Sequence, residues 1–141
     1  MAAALEEPLV RVAPTAASPE GWIKASEDIE FKVLSVDQAR YSVEFLFRTK
    51  AGYNSGKHKH LCETHVYILE GRVRNETIGC EFGPGDYCYQ PANDEHVELF
   101  LEDTTGYGSW RGDQDLMVEF YDDDGNVCGE FKVSDYLACL G

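Results

Sequence analysis

The sequence predicts an all-β domain, a single small barrel that ends in a short helix. Short runs rich in β-branched and aromatic residues follow one another from Trp22 to Phe131, and turn-forming residues separate them. Only the closing segment SDYLACLG is expected to be helical, with Ser134 as its N-cap. Because 141 residues suit one domain, we predict that the barrel domain covers residues 21–141.

Two pairs of strands carry this prediction. Residues 29–34 (IEFKVL) and 41–47 (YSVEFLF) alternate between apolar and other side chains, which predicts an antiparallel pair with one buried face. Residues 116–121 (LMVEFY) and 127–131 (VCGEF) flank DDDGN, a composition typical of a hairpin turn. Shorter strands are expected at residues 64–74, where Glu70 and Gly71 supply a turn, and at residues 88–90 and 97–101.

The N-terminal segment, residues 1–20, has a different composition. It is rich in Ala, Pro and Ser, which bury too little apolar surface to offset the entropy of ordering, so we predict a flexible arm. It has no basic leader with a long apolar run, and no stretch of the sequence reaches the length of a membrane span. We therefore expect a cytoplasmic protein that does not bind membranes.

Charge and cysteine content exclude further classes. The 26 acidic residues outnumber the 12 basic ones and give a formal net charge of −14, which repels nucleic acids and anionic membrane surfaces. The five cysteines form no CxxC pair, which argues against a disulfide framework and against a zinc ribbon. A small molecule is the expected partner.

The four histidines, His58, His60, His65 and His96, all lie within the strand-rich region. His58 and His60 are two residues apart, so on a strand both side chains point to the same face. His96 follows the turn QPANDE, in which Asn93 tolerates a left-handed backbone, and this turn can aim His96 back at the pair. Three imidazoles that leave coordination positions open suit iron, zinc, manganese or copper.

These residues resemble the two signature motifs of the cupin family, G(x)5HxH(x)3-4E(x)6G and G(x)5PxG(x)2H(x)3N. The first motif begins at Gly52, includes His58 and His60, and ends at Gly71. The second matches at three positions, Gly85, Pro91 and His96. The resemblance implies a single RmlC-like jelly-roll barrel, with His58, His60 and His96 as metal ligands.

The sequence departs from these motifs at positions that bear on the ligand set. Thr64 stands where the motif has its glutamate ligand, so the simplest reading is a site of three histidines. His65 becomes a fourth ligand if the strand is shifted by one residue, and the neighbouring Glu63 also has a suitable carboxylate. In the second motif, Asn93 replaces a glycine and Phe100 replaces an asparagine.

The order of segments from Trp22 to Phe131 is similar to small cupins related to acetylacetone-cleaving enzyme and to 2,4'-dihydroxyacetophenone dioxygenase. This resemblance implies a non-heme iron(II) centre on three histidines, with zinc, manganese or nickel as alternatives. It further implies that dioxygen is used to cleave a carbon–carbon bond in a β-diketone or a hydroxyketone. Three neutral imidazoles leave the charge of the metal uncompensated, which favours an anionic enolate as the bound substrate.

Two other readings stay open. The small cupins also include zinc-binding regulatory domains similar to the anti-sigma factor ChrR, which act as sensors or ligand-binding modules. A storage or sugar-modifying cupin with little metal dependence is the third reading. The oligomeric state stays open: small barrel cupins form homodimers by pairing sheet edges or by exchanging an N-terminal strand, and a homodimer is one alternative for this chain. Candidate pocket and neighbouring residues are Phe45, Phe47, Cys62, Tyr67, Tyr87, Cys88, Tyr89 and Phe120.

Overall fold

A computed structural model describes the backbone of residues 10–12 and 21–139, and the side chains of residues 21–137. These residues form strands connected by short turns and one short helix. The elements are β1 (Val10–Val12), β2 (Ile23–Lys24), β3 (Ile29–Asp37), β4 (Ser42–Thr49), β5 (His58–His60), β6 (Glu63–Glu70), β7 (Val73–Asn75), β8 (Cys80–Phe82), β9 (Tyr87–Gln90), β10 (Glu95–His96), β11 (Glu98–Phe100), β12 (Thr104–Arg111), β13 (Leu116–Tyr121), β14 (Val127–Lys132) and α1 (Val133–Cys139).

The largest sheet has seven strands in the order β1-β3-β4-β12-β6-β9, with β2 paired to the free part of β3. All of its pairings are antiparallel. The predicted pairing of residues 29–34 with residues 41–47 is confirmed, since β3 pairs antiparallel with β4 from Ile29↔Thr49 to Asp37↔Ser42.

A second sheet has four strands in the order β10-β5-β13-β14, and a third has three strands in the order β11-β7-β8. The predicted hairpin between β13 and β14 is confirmed. Its turn is closed by the Asp122 carboxylate, which accepts hydrogen bonds from the backbone N–H groups of Asp124 and Asn126. Gly125 takes a φ of 86°, a left-handed value that suits glycine.

The core lies between the first two sheets and the helix. Val33 and Val43 from the seven-stranded sheet pack with Met117 and Val118 of β13 and with Tyr136 of α1. Ile68, Val73 and Phe100 form a smaller cluster beside the third sheet. The predicted all-β barrel with a short C-terminal helix is therefore confirmed.

Strand β12, which lies at the centre of the large sheet, is not predicted by the sequence pattern. Its segment TTGYGSWR contains two glycines and few branched apolar residues, both of which are unfavourable for a strand. The glycines have a packing role instead. A Cβ atom at Gly108 would lie 2.5 Å from the ring of Phe45, and one at Gly106 would lie 2.5 Å from the ring of Phe47. Two aromatic rings therefore occupy the space that side chains on β12 would fill.

The helix begins at Val133, one residue before the predicted N-cap, so the assignment of Ser134 to that position is wrong. Asp115 binds this end of the helix instead. Its backbone carbonyl accepts a hydrogen bond from Val133 N, and its carboxylate accepts one from Ser134 N.

The predicted flexible arm, residues 1–20, lies outside the described residues except for β1. The backbone of β1 pairs antiparallel with β3 through Val10↔Asp37, Arg11↔Val36 and Val12↔Ser35. In the part of the chain that the structure describes, no helix is both long and apolar enough to cross a membrane.

Candidate metal centre

Three histidines from two strands meet inside the barrel. His58 and His60 lie on β5 and His96 lies on β10, and each offers a ring nitrogen within 4.8 Å of the other two. The ring centroids are 4.4 Å apart for His58 and His96, 5.0 Å for His58 and His60, and 5.1 Å for His60 and His96. All three side chains are buried.

Strand pairing and one turn create this convergence. On β5 the two histidines are buried while Lys59 between them is partly exposed, as the alternation of a strand requires. Strand β10 pairs with β5 so that His96 lies directly opposite His58. The preceding turn is fixed to β5 by a hydrogen bond of 2.6 Å from Asn93 N to the carbonyl of His60. Asn93 takes a φ of 75°, the left-handed conformation expected for it.

The hydrogen bonds of the three rings leave nitrogen lone pairs available. His58 Nδ1 lies 3.0 Å from the carbonyl of Gly56, and because a carbonyl only accepts, this nitrogen carries the proton and leaves Nε2 with a lone pair. His60 Nδ1 lies 2.9 Å from the hydroxyl of Thr64. His96 Nε2 is buried and has no hydrogen-bond partner among the described residues.

Two of the three rings, those of His60 and His96, favour the neutral form that binds metals. Burial, together with the neighbouring rings of His58 and His96, lowers the pKa of His60 well below its usual value. Burial likewise lowers the pKa of His96, although Glu98 and Asp94 act in the opposite direction. A closed triangle of three buried imidazoles, one of them with an unpartnered nitrogen, fits a divalent transition metal.

Thr64 occupies the position of the motif glutamate and contacts a ring. Its side chain is 1 % exposed, and its hydroxyl contacts His60 Nδ1 on the side of the ring away from Nε2. The Sγ atom of Cys62 lies 3.9 Å from the same hydroxyl, and burial raises the pKa of Cys62 to about 11. Burial also raises the pKa of Cys88. Both thiols therefore stay protonated at neutral pH.

His65 and Glu63 lie on the other face of β6. His65 Nδ1 is hydrogen-bonded to the hydroxyl of Tyr87, and its ring packs against Tyr87 and Tyr89. Its Nε2 lies 3.5 Å from the carboxylate of Glu63. Since Thr64 between them points inward, the strand has the register in which His65 points away from the three buried rings.

Glu98 is a residue of the centre that the sequence reasoning did not identify. Its Oε1 atom lies 3.7 Å from His58 Nε2 and 3.9 Å from His96 Nε2. The signal that would have found it is the spacing to His96, which is the same two-residue separation that placed His58 and His60 on one face. The carboxylate is therefore a neighbour of two of the three donor nitrogens.

A cavity of about 140 Å³ adjoins the rings of His58 and His60. Its wall includes Thr64, Gln90 and Glu98 near the histidines, and apolar side chains elsewhere. Of the aromatic residues predicted for the wall, Phe45, Phe47 and Phe120 line it. The prediction is wrong for Tyr67, Tyr87 and Tyr89, which are exposed, because strand alternation directs them to the outer surface.

Solved structures resemble this fold at low sequence identity. The chain matches a candidate acetylacetone dioxygenase from Methylibium petroleiphilum with a TM-score of 0.78 and 19% identity, over 100% of this chain and 99% of that one. It matches an acetylacetone dioxygenase from Acinetobacter johnsonii with a TM-score of 0.74 and 16% identity, over 88% and 87% of the two chains. At these identities the likeness establishes the fold.

A third similar structure is the complex of SigE with the anti-sigma factor ChrR from Rhodobacter sphaeroides. The match has a TM-score of 0.54 and 20% identity, over 63% of this chain and 47% of that one.

A search of curated protein sequences gave no match. The profile of the ChrR cupin-like domain family matches residues 11–109, which is more than half of the chain. The chain therefore belongs to the ChrR cupin-like family and is a small single-barrel cupin.

Proposed function

We propose that this cupin is a non-heme iron(II) dioxygenase that cleaves a carbon–carbon bond in a small β-diketone or hydroxyketone. One observation carries the proposal. Three buried imidazoles converge beside a largely apolar cavity in which a small organic molecule can reach them. His58, His60 and His96 are the proposed metal ligands, and dioxygen is the proposed co-substrate.

The size of the cavity favours the β-diketone. A cavity of roughly 150 Å³ holds one benzene ring in a protein core, and the cavity here measures about 140 Å³. A five-carbon diketone is of similar size, whereas an aryl hydroxyketone adds a side chain and hydroxyl groups to a ring. We therefore expect small aliphatic β-diketones to be better substrates than aryl hydroxyketones.

The residues around the cavity would bind the substrate, exclude water and hold the histidine rings in position. Phe45, Phe47 and Phe120 enclose the carbon skeleton and exclude water. The lining contains no Lys or Arg among the described residues, so an anionic enolate finds its positive charge at the metal. When bound, iron(II) would supply the redox chemistry that lets an electron-rich enolate react with dioxygen. Thr64 and the Gly56 carbonyl hold the rings of His60 and His58 in position for it.

Oxygen consumption tests the proposal directly. The protein is loaded anaerobically with iron(II) and then mixed with oxygenated buffer and one of a panel of β-diketones and aryl hydroxyketones. We expect substrate-dependent oxygen uptake, fastest with the small β-diketones and abolished in His96→Ala. The variant His65→Ala is the matched control and should retain the activity. Iron-loaded protein that consumes no oxygen with any compound would refute the dioxygenase assignment.

A zinc-binding sensor or ligand-binding module is the second candidate. It is favoured by the family, whose profile carries the name of ChrR, and by the structural similarity to the SigE–ChrR complex. The two candidates differ in the metal retained by protein purified without chelators. Iron or manganese supports the oxygenase, whereas stoichiometric zinc and no oxygen uptake support the sensor. The homodimer stays a prediction, which sedimentation velocity tests.

A further inference from the structure

The hydrogen bonding of Glu98 is incomplete on the side that faces the histidines. Its Oε2 atom accepts a hydrogen bond of 3.3 Å from Gln90 Nε2, and its backbone N–H donates to the hydroxyl of Ser55. Gln90 is buried and therefore fixes the orientation of the carboxylate. Among the described residues, Oε1 has no hydrogen-bond donor assigned to it, and it lies near His58 Nε2 and His96 Nε2.

The described residues that line the cavity beside this carboxylate include no Lys or Arg. Glu98 itself lines the cavity, and its side chain is only 22 % exposed. A mostly buried carboxylate is costly unless a cation or several hydrogen-bond donors compensate its charge. The nitrogen that faces it on His96 is itself buried and unpartnered. One cation between Glu98 Oε1 and His96 Nε2 would give both atoms a partner.

The spacing of the atoms matches shared coordination. Two ligand atoms of a tetrahedral zinc site lie roughly 3.3 to 3.6 Å apart, given bond lengths of about 2.0 to 2.2 Å. The separations of Oε1 from His58 Nε2 and His96 Nε2 are 3.7 Å and 3.9 Å, each within a few tenths of an ångström of that range. By contrast, Thr64 at the glutamate position of the motif directs its hydroxyl to His60 Nδ1 and cannot supply a carboxylate.

We propose that Glu98 is the fourth protein ligand of the metal, so that the carboxylate of the centre comes from β11 and not from β6. The inference rests on the metal site of the proposed function but does not depend on the reaction. Ligation by Glu98 would halve the net charge of a dipositive centre and would leave one fewer open position for substrate and dioxygen. The centre would thus contain three histidines and one carboxylate, with the carboxylate at a position outside the first motif.

The test compares Glu98→Gln with the matched control Glu95→Gln. Gln has the shape of Glu but binds metals weakly, and Glu95 lies on the adjacent β10, where it forms an exposed ion pair with Lys57. Zinc affinity is measured by competition with a chelating dye, and cobalt(II) is used as a spectroscopic probe of the coordination shell. We expect Glu98→Gln to lower zinc affinity by about 100-fold or more, at or beyond the upper end of the effect of residues that only orient a ligand. Glu95→Gln should match the wild type.

The cobalt spectrum separates ligation from a supporting role. We expect the visible d–d bands to shift in Glu98→Gln and X-ray absorption to show one fewer protein ligand than in the wild type. Unchanged bands and an unchanged ligand number would overturn the proposal, even if affinity falls. Circular dichroism of the metal-free variants checks folding. Should Glu98→Gln not fold, a crystal structure of the zinc-loaded wild type decides, since ligation requires Oε1 about 2.0 to 2.2 Å from the ion.

These readouts are independent of catalysis. A wild type that binds metal with Glu98 in its shell but consumes no oxygen would contradict the dioxygenase and leave the ligand assignment intact. A wild type that binds no metal would overturn both.

Discussion

The two faces of the paired strands β6 and β9 have opposite chemistry, although their residues alternate along the same segments. On the inner face, Thr64 and Gln90 lie directly opposite each other, both are buried, and both line the cavity beside the histidines. On the outer face, His65 lies opposite Tyr89 and is hydrogen-bonded to Tyr87, both of which are exposed. His65 thus lies on the outer face of the large sheet, opposite to the face beside the other three histidines.

This difference shows that the register of β6 decides which of its side chains face the candidate metal centre. A shift of one residue would exchange His65 for Thr64 at the cavity and would give four inward histidines. The register is fixed by the long pairing of β6 with β12, which places Trp110 opposite Thr64 and Ser109 opposite His65. Four experiments sharpen the contrast between the two faces.

The largest expected effect is on metal binding when a histidine is removed from either face. His60→Ala deletes a proposed ligand, so we expect bound metal after dialysis to fall from about one equivalent to near zero. His65→Ala removes an imidazole from the outer face and should retain full metal content. Elemental analysis of both purified variants measures this. Loss of metal in His65→Ala with retention in His60→Ala would reverse the assignment of the two faces.

The second effect concerns the hydroxyl of Thr64 on the inner face. Thr64→Val keeps the shape of the side chain but removes the group that holds His60 Nδ1, so we expect metal affinity to fall by about 10- to 100-fold. Thr64→Ser keeps the hydroxyl and is the control, with affinity close to that of the wild type. Equal affinities for the Val and Ser variants, measured by chelator competition, would show that this hydrogen bond does not orient the ligand.

The third effect is on the stability of the metal-free protein as pH falls. Because burial lowers the pKa of His60 and of His96, the unfolded chain takes up protons before the folded chain does. Above the ordinary histidine pKa of 6.5, the rings are neutral in both states and the free energy of unfolding is unaffected by them. As pH falls below 6.5, protonation of the unfolded chain lowers the free energy of unfolding. Thermal unfolding between pH 8 and 5, roughly the span around that value, should therefore show a falling Tm.

The control for this prediction is His60→Asn, in which one of the two buried titrating rings is absent. Its Tm should depend less on pH over the same interval than that of the wild type. A pH dependence identical to that of the wild type would attribute the loss of stability to other groups.

The smallest effect is expected on the outer face. Tyr87→Phe removes the hydroxyl that is hydrogen-bonded to His65, in an exposed position, and we expect a loss of about 0.5 to 1.5 kcal/mol in the free energy of unfolding. Urea denaturation measures it. Metal affinity should be unchanged, and a decrease comparable to that of Thr64→Val would show that the two faces are coupled.

The parts of this fold that follow from local patterns were accessible from the sequence. Alternation predicted β3, β4 and the hairpin of β13 and β14, and the two-residue spacing placed His58 and His60 on one face. Strand β12 could not be found this way, because its glycines leave space for the rings of Phe45 and Phe47, which are distant in sequence. The helix start was missed by one residue because the capping group, Asp115, lies on another segment.

Register between distant segments was beyond the same reasoning. Thr64 and His65 were both compatible with the sequence as inward residues, and the pairing of β6 with β12 and β9 distinguishes them. Glu98 was overlooked because the motif directs attention to a carboxylate near residue 64. The two-residue spacing from His96 to Glu98 was a local signal, but the contact of Glu98 with His58 also depends on the pairing of β10 with β5, which lies outside that spacing.

The central claim is that His58, His60 and His96 together bind one metal ion inside the barrel. Anomalous diffraction from crystals of the metal-loaded protein, recorded on both sides of the absorption edge, tests it most directly. We predict a single strong peak between the three rings, about 2.0 to 2.1 Å from a nitrogen of each. A peak beside His65 and Glu63, or no peak in protein soaked with excess metal, would contradict the account.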